Sequence, residues 1–465
     1  MNYVSTRGGA PAVSFLDAVI AGLAPDGGLY VPEQWPQLSA AEIAAFAGRP
    51  YAEVAADIVG RFAGDSIDAG ALAEICKEAY ASFDHAAVAP LKQLSPGGFL
   101  LELFHGPTLA FKDIALQLLG RLYDHVLSAQ GRRLTIVCAT SGDTGGAAVE
   151  AFRGRSGVRL VALFPEGRIS DVQRRFMTTT GEDNIACLEV KGTFDDCQAM
   201  LKSMFRDAQF ASAVDLSGVN SINFARIAAQ AVYYFTAAVA LGAPHRKVAF
   251  AAPTGNFGDA YAGYVAQRMG LPVERIIVAV NSNDILGRAL ESGRYQRGEV
   301  AATSSPAMDI QAASNFERLY FEATGRDAPA TARAFETFGS CGALDIPPEA
   351  LAAMRNLFVG AAVSEAETAR TIRATLAATG ELVDPHTAVG LAAAARIGPA
   401  DSATPLVTLA TAHPAKFPEA VAAAAGAPAP TPASVARMAE RRERFDRLAA
   451  DVEAAKAYVR EFATA

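Results

Sequence analysis

Lys112 stands inside an apolar stretch, "HGPTLAFKDIA" (residues 105–115), just where a helical pattern begins. Three roles compete for such a group: a snorkelling surface ammonium, one half of an ion pair with Asp113, or a nucleophile kept reactive by its surroundings. The first turn of a helix is a poor place for a cation, because the dipole there is already positive. Apolar neighbours add a desolvation cost that favours the neutral amine. An amine made neutral in this way is a nucleophile toward an aldehyde.

Three further stretches carry chemistry. In "TGNFGD" (254–259), Gly255 and Gly258 let the backbone approach a ligand closely, so that successive N–H groups and a helix N-terminus can cradle a phosphate without any lysine. The stretch is neither a GxGxxG fingerprint nor a P-loop, and glycines at a helix start can also be purely structural; Asp259 competes for the same amides. "ATSGDTGG" (139–146) repeats the device with the hydroxyls of Thr140, Ser141 and Thr144 beside Gly142, Gly145 and Gly146, and suits a second anion such as a carboxylate. Asp143 or Thr144 could also cap the helix there, which stabilises it by about 1 kcal/mol. "TAHPAKF" (411–417) puts Thr411 at a strand end with His413 and Lys416 nearby. The six histidines show no metal-pair spacing, and neither HExxH nor GxSxG occurs, which argues against metal catalysis and against a serine hydrolase. Were the cofactor a phosphate-bearing aldehyde, "GNFG" would hold the phosphate and Lys112 the carbonyl carbon. That pairing points to pyridoxal phosphate (PLP).

The elements that must position these groups follow a repeated grammar. From about "LSPGG" onward, short apolar strands alternate with glycine-bearing turns and amphipathic helices, which predicts βαβ units on a mostly parallel sheet. "FLLEL", "LTIVCA", "KVAFAA" and "PLVTLA" each lead through one of the loaded turns into a helix, placing all four turns where ligands bind in open α/β sheets. Residues 1–92 read as a small separate domain, 93–427 as the catalytic region with a smaller subdomain around 131–215, and 428–465 as a helical tail. The alternating charges of "ERRERFDR" predict i,i+4 pairing on an exposed helix in that tail.

Bulk properties narrow the function classes. The chain has 465 residues, of which 51% are hydrophobic and 19% charged, as expected of a globular enzyme with a large core. A formal charge of −8 and a pI near 5.4 exclude the basic field of a nucleic-acid binder. Five dispersed cysteines without a CxxC pair suit reduced thiols in the cytoplasm. The N-terminus lacks the apolar core of a signal peptide, and the uncharged run 227–244 is weakly hydrophobic, which predicts a buried helix and no membrane span.

In this order, "LELFHGPTLAFKD", "ATSGDTGGAA", "NSINFARIAAQ", "GNFGD" and "TAHPAKF" resemble the threonine synthases of the bacterial and fungal type, and "YVSTRG" and "DGGLYVPE" are similar to that family's leading domain. The likeness covers roughly residues 2–420 and leaves the tail poorly matched. It implies an α/β PLP enzyme of the tryptophan synthase β type, with two open, mostly parallel sheets flanked by helices and a small N-terminal domain. The implied reaction converts O-phospho-L-homoserine and water into L-threonine and phosphate, by elimination of the γ-phosphate and addition of water at Cβ. It is the last step of threonine biosynthesis.

Carried over by motif, Lys112 is the catalytic amine and holds the cofactor. Gly255, Asn256, Phe257, Gly258 and Asp259 form the cofactor-phosphate loop, and Thr411 meets the pyridine nitrogen. Thr140, Ser141, Gly142 and Thr144 face the substrate carboxylate. Asp143 stands where relatives of this fold carry Asn beside the ring hydroxyl. Arg226 and Lys416 are the candidate cations for the substrate phosphate, with Ser221 and Asn223 as hydrogen-bond donors. The same Lys112 and "GNFGD" would equally serve a phospho-lyase that turns a related amino-acid phosphate into a 2-oxo acid. The expected partner is a small molecule, with no metal, nucleic acid or membrane, and the chain acts as a monomer or homodimer.

Overall fold

The computed structural model describes residues 1–464, and the apolar runs assemble there into two open sheets. The larger has six strands in the order Phe358–Ala362, Val273–Val280, Val248–Pro253, Leu406–Ala410, Gly98–Glu102 and Leu91–Ser95, parallel throughout except for the last pair. The smaller has five parallel strands in the order Asp446–Ala449, Ile185–Lys191, Val158–Pro165, Leu134–Ala139 and Leu216–Ser217. Val248–Pro253 is buried along its whole length, as a parallel strand covered on both faces must be.

The four loaded turns do not share one sheet edge. Three follow the neighbouring strands Val248–Pro253, Leu406–Ala410 and Gly98–Glu102 of the larger sheet, and the fourth follows Leu134–Ala139 of the smaller one. The site therefore lies between two sheets, because the segment around 131–215 closes into a sheet of its own.

The uncharged run is mostly the helix Phe224–Ala240, which is buried almost throughout and capped by Asn223. Among the described residues no helix is long and apolar enough to cross a membrane. Against this helix pack Tyr51–Ala63 of the N-terminal region and Lys112–Gln130, the helix that begins at the lysine. The N-terminal core is continuous with the rest: Tyr3 and Phe62 meet Phe224 edge-on at 5.2 and 5.5 Å, and Tyr123 donates to the Val19 carbonyl at 3.1 Å. The expected boundary at 92 falls inside the strand Leu91–Ser95, which belongs to the larger sheet. All five cysteines are free, and burial pushes the thiols of Cys76, Cys138 and Cys197 up to about 12.

The tail departs from its expected helical form. After the helix Ala433–Ala439, residues Asp446–Ala449 form a strand parallel to Ile185–Lys191, and only then does the helix Val452–Thr464 begin. The open edge of Ile185–Lys191 offers a row of unpaired backbone groups, and covering it outweighs local helix propensity. The charges of "ERRERFDR" accordingly pair across the fold: Glu443 with Arg174 and Arg175, Arg444 with Asp183, and Arg447 with Glu189. Val459 and Ala455 are fully buried in a cluster with Leu188, Met200, Met204 and Phe210. Val459→Asp would bury an unpaired charge there and cost about 3 kcal/mol, read as a lowered urea midpoint. An unchanged midpoint would mean that the tail is not docked.

Candidate active site

Lys112 opens its helix without a side-chain cap, and the loop before it is fixed by a partner some three hundred residues away. Phe111 N–H donates to the Thr411 carbonyl at 2.8 Å and His413 N–H to the Leu109 carbonyl at 3.0 Å, with Ala110 and Ala412 forming a short bridge. The "HGPTLAFK" and "TAHPAKF" stretches thus pair with each other at the ends of neighbouring strands. Leu109, held at φ 60°, packs against Phe176 of the smaller sheet's flank and against Val435 and Met438 of the tail.

Asp113 is not the lysine's ion-pair partner. It accepts Thr108 N–H at 2.8 Å and Thr108 Oγ1–H at 2.7 Å, and burial pushes its carboxyl up to about 6. The carboxylate that faces Lys112 is Asp143, whose Oδ2 lies 3.6 Å from Lys112 Nζ, long for a hydrogen bond. Its Oδ1 takes Lys416 Nζ at 2.8 Å and Gln173 Nε2 at 2.9 Å. Burial opposes ionisation of Asp143, but Lys416 and Lys112 together hold it well below the usual carboxylate range. Burial pushes the Lys112 amine down from its ordinary value; Asp143 opposes this, while Lys416 and Arg226 add to it. Of the two lysines beside Asp143, Lys112 has no partner closer than 3.6 Å among the described residues, whereas Lys416 also donates to the Thr108 carbonyl at 2.7 Å.

"TGNFGD" folds as a tight cradle. A Cβ on Gly255 would stand 2.6 Å from the Ala307 carbonyl oxygen, so only glycine fits. Phe257 sits at φ 64° with its ring buried against Phe316 and Phe358. The Asn256 carbonyl accepts from Asn315 N–H and Nδ2, both at 3.1 Å, while Ser314 Oγ donates to Asn256 Oδ1 at 3.2 Å and lies 3.1 Å from Ser221 Oγ. Among the described residues no protein acceptor receives the N–H of Gly255, Asn256, Phe257 or Gly258. Asp259 does not compete for these amides: it turns onto Thr254 Oγ1 and Ala260 N–H, leaves Oδ2 without a partner, and is pushed by burial up to about 6.

The "ATSGDTGG" loop works differently from its expected form. Thr140 Oγ1 accepts Gly142 N–H at 2.9 Å and Gly145 N–H at 2.8 Å, so the cap comes from Thr140, and neither Asp143 nor Thr144 supplies it. Two of the amides expected for an anion are thereby taken; those of Ser141, Asp143 and Thr144 keep no protein acceptor among the described residues. Gly142, at φ 121°, makes room for Gln173, which a Cβ would strike at 2.5 Å.

Two of the four expected substrate-phosphate groups are engaged elsewhere. Lys416 is neutralised by Asp143, and Asn223 caps its helix through Ala225 N–H at 3.1 Å while donating to the Val19 carbonyl at 2.7 Å. Arg226 fits better: it is buried, donates to the Val219 carbonyl at 3.0 Å, keeps Nε without a partner, and is pushed by burial down to about 10. Thr411 is buried at its strand end. Gln173, Ser314 and Asn315 were invisible beside the candidate residues, because no local motif marks them; Thr108 lay inside "HGPTLAFKDIA" without a role that its type or spacing announced. His386 carried a faint signal, "DPHTA" at a helix start, and lies buried with Nδ1 2.6 Å from Asp384 and Nε2 accepting Ala307 N–H at 3.3 Å.

Comparison with known proteins adds a second line. Residues 2–80 match the family model "Threonine synthase N terminus", 89–411 the model "Pyridoxal-phosphate dependent enzyme", and 387–459 the model "Threonine synthase, C-terminal". The chain is 50% identical over 460 residues to the threonine synthase of Pseudomonas aeruginosa, covering 99% of this chain and 98% of that one. The crystal structure of PLP-bound threonine synthase from Brucella melitensis superposes with a TM-score of 0.97 at 52% identity over all of both chains. The yeast threonine synthase structure does so with a TM-score of 0.93 at 36% identity, covering 100% of this chain and 99% of that one.

The raised carboxyl of Asp259 gives a pH signature. Its folded value, about 6, exceeds the ordinary 3.8, so its contribution to stability is complete below pH 4 and is lost as pH rises through 6. Asp259→Asn in cofactor-free protein should remove that loss, on the order of 3 kcal/mol. The variant's urea-unfolding free energy minus the wild type's should rise between pH 4 and 7; a flat difference would show the carboxyl to be unstressed.

Proposed function

We propose a reaction and a division of labour for this chain, which belongs to the threonine synthase family of PLP-dependent enzymes. The reaction is the conversion of O-phospho-L-homoserine and water into L-threonine and phosphate, the closing step of threonine biosynthesis. The observation that carries the reading is a buried Lys112 amine without a close partner, set beside Asp143 and coupled in charge to Asp259 of the "GNFGD" loop, whose N–H groups are free.

When bound, PLP supplies an electron sink for the charge that develops beside the substrate's amine-bearing carbon. Lys112 Nζ would hold the cofactor's carbonyl carbon and, when displaced, take protons from the substrate's Cα and Cβ and return protons at Cγ and Cα. A single amine in both duties needs a pKa brought toward neutrality, which burial favours. The amides of Gly255, Asn256, Phe257 and Gly258, with the helix end behind them, would hold the cofactor phosphate. Ser314 and Asn315 fix the Asn256 peptide in that position. Thr411 Oγ1 would offer the ring nitrogen a neutral partner. The free amides of Ser141, Asp143 and Thr144 would receive the substrate carboxylate, on a loop whose shape Thr140 sets. Arg226, with no carboxylate partner among the described residues, would meet the substrate phosphate, with Ser221 as a neighbouring hydroxyl.

Every residue named comes from one chain, so a monomer or a homodimer serves equally. Five free cysteines support a cytoplasmic site of action. Residues 1–90 would buttress the buried helix, 91–427 carry the chemistry, and 428–464 brace the smaller sheet.

Purified protein given O-phospho-L-homoserine should release threonine and phosphate in equal amounts. Appearance of 2-oxobutyrate without threonine would overturn the reading in favour of a phospho-lyase. Lys112→Ala should lower kcat/KM by about 10³-fold or more. Arg226→Gln should raise KM for the phosphorylated substrate by about 10- to 100-fold; an unchanged KM would remove Arg226 from the phosphate site.

A further inference from the structure

We propose that Lys416 is a positioning residue that acts on Lys112 through Asp143: it occupies one oxygen of the shared carboxylate and so keeps Lys112 from being locked into an ion pair. The inference rests on Lys112 being the amine that takes the cofactor's carbonyl.

The geometry is asymmetric. Asp143 Oδ1 has a full set of donors, Lys416 Nζ at 2.8 Å and Gln173 Nε2 at 2.9 Å, whereas Oδ2 faces Lys112 Nζ at 3.6 Å. Lys416 is 1% exposed, and its ammonium is fixed by Asp143, by the Thr108 carbonyl at 2.7 Å and by the Phe176 ring 5.3 Å below it. Its backbone is pinned too, with the carbonyl accepting Ser170 Oγ–H at 2.9 Å and the N–H donating to His413 at 3.1 Å. Nothing in this arrangement lets Lys416 swing away to serve a ligand.

Charge bookkeeping gives the arrangement its purpose. With both lysines charged, two ammoniums share one carboxylate and the trio carries +1; when Lys112 gives up its proton, Asp143 and Lys416 remain as a neutral, hydrogen-bonded pair. Without Lys416 the only ammonium beside Asp143 would be Lys112, with His386 as a further titratable neighbour, and freeing the Lys112 amine would leave a buried carboxylate held by Gln173 without a bound cation, which is costly. The charged groups that bear on Lys112 come from every packed element: Asp143 from the helix Asp143–Phe152, Lys416 from the turn Pro414–Lys416, Arg226 from the helix Phe224–Ala240, and Asp259 from the helix Gly258–Arg268. Only Lys416 reaches Lys112 through a shared hydrogen-bonded partner.

The test titrates Lys112 in cofactor-free protein by trace acetylation with acetic anhydride and peptide mass spectrometry. Lys416→Met should move the Lys112 titration to higher pH by about one unit or more, and Asp143→Asn should move it to lower pH. Lys416→Gln, which keeps an amide donor one bond short of the lysine's ammonium and loses the charge, should match Lys416→Met and replaces it if that variant fails to fold. In the holoenzyme Lys416→Gln should lower kcat more than it raises KM. An unchanged Lys112 titration in folded Lys416→Met or Lys416→Gln, or shifts of the same sign in the Lys416 and Asp143 variants, would overturn the proposal. A borohydride-fixed cofactor found on Lys416 instead of Lys112 would instead overturn the functional reading beneath it.

Discussion

A buried carboxylate must find cationic or hydrogen-bonding partners, and Asp143 finds them on separate parts of the chain. Lys112 comes from the edge of the larger sheet, Lys416 from the turn after a neighbouring strand, and Gln173 from a helix flanking the smaller sheet. If the two sheets drift apart, three charged groups lose compensation together. The same contacts that set the protonation of the lysine therefore fix the spacing of the sheets that form the site.

Backbone N–H groups divide the labour on either side of this centre. In the "GNFG" cradle the neighbouring side chains bond carbonyls and one another, which leaves the amides free for an anion. In the "SGDTG" loop Thr140 takes two amides to hold the turn and leaves three. One loop is shaped from behind by neighbouring side chains and the other from within by Thr140. Arg226 adds a buried positive charge with no carboxylate partner among the described residues.

The outlying segments support this centre from behind. The tail's Glu443 binds Arg174 and Arg175, which lie between Gln173 and Phe176 in the same turn of helix. Val435 and Met438 close over Phe176 and Leu109, so the tail touches the lysine loop and the smaller sheet's flank at once. At the other end of the chain the N-terminal aromatic residues pack onto Phe224, at the start of the helix that bears Arg226.

Local chemistry marked much of this in the sequence. A lysine at a helix start, glycines after apolar strands and hydroxyls beside them are short-range signals, because strand, turn and helix are set by neighbouring residues; that Lys112 opens a helix and that the "GNFGD" and "TAHPAKF" turns follow strands was readable on that basis, and so was the α/β alternation, whereas Arg226 was marked only by the family resemblance. Pairing was not readable. Asp113 stands next to Lys112 in the chain yet bonds Thr108, while Asp143 and Lys416, thirty-one and 304 residues away, face or flank the lysine in space. Asn223 became a helix cap, the tail gave up part of a helix to cover an open strand edge, and Gln173 entered the site from a helix with no motif. Each outcome depends on which charges and backbone groups burial brings together without water, and tertiary structure alone decides that.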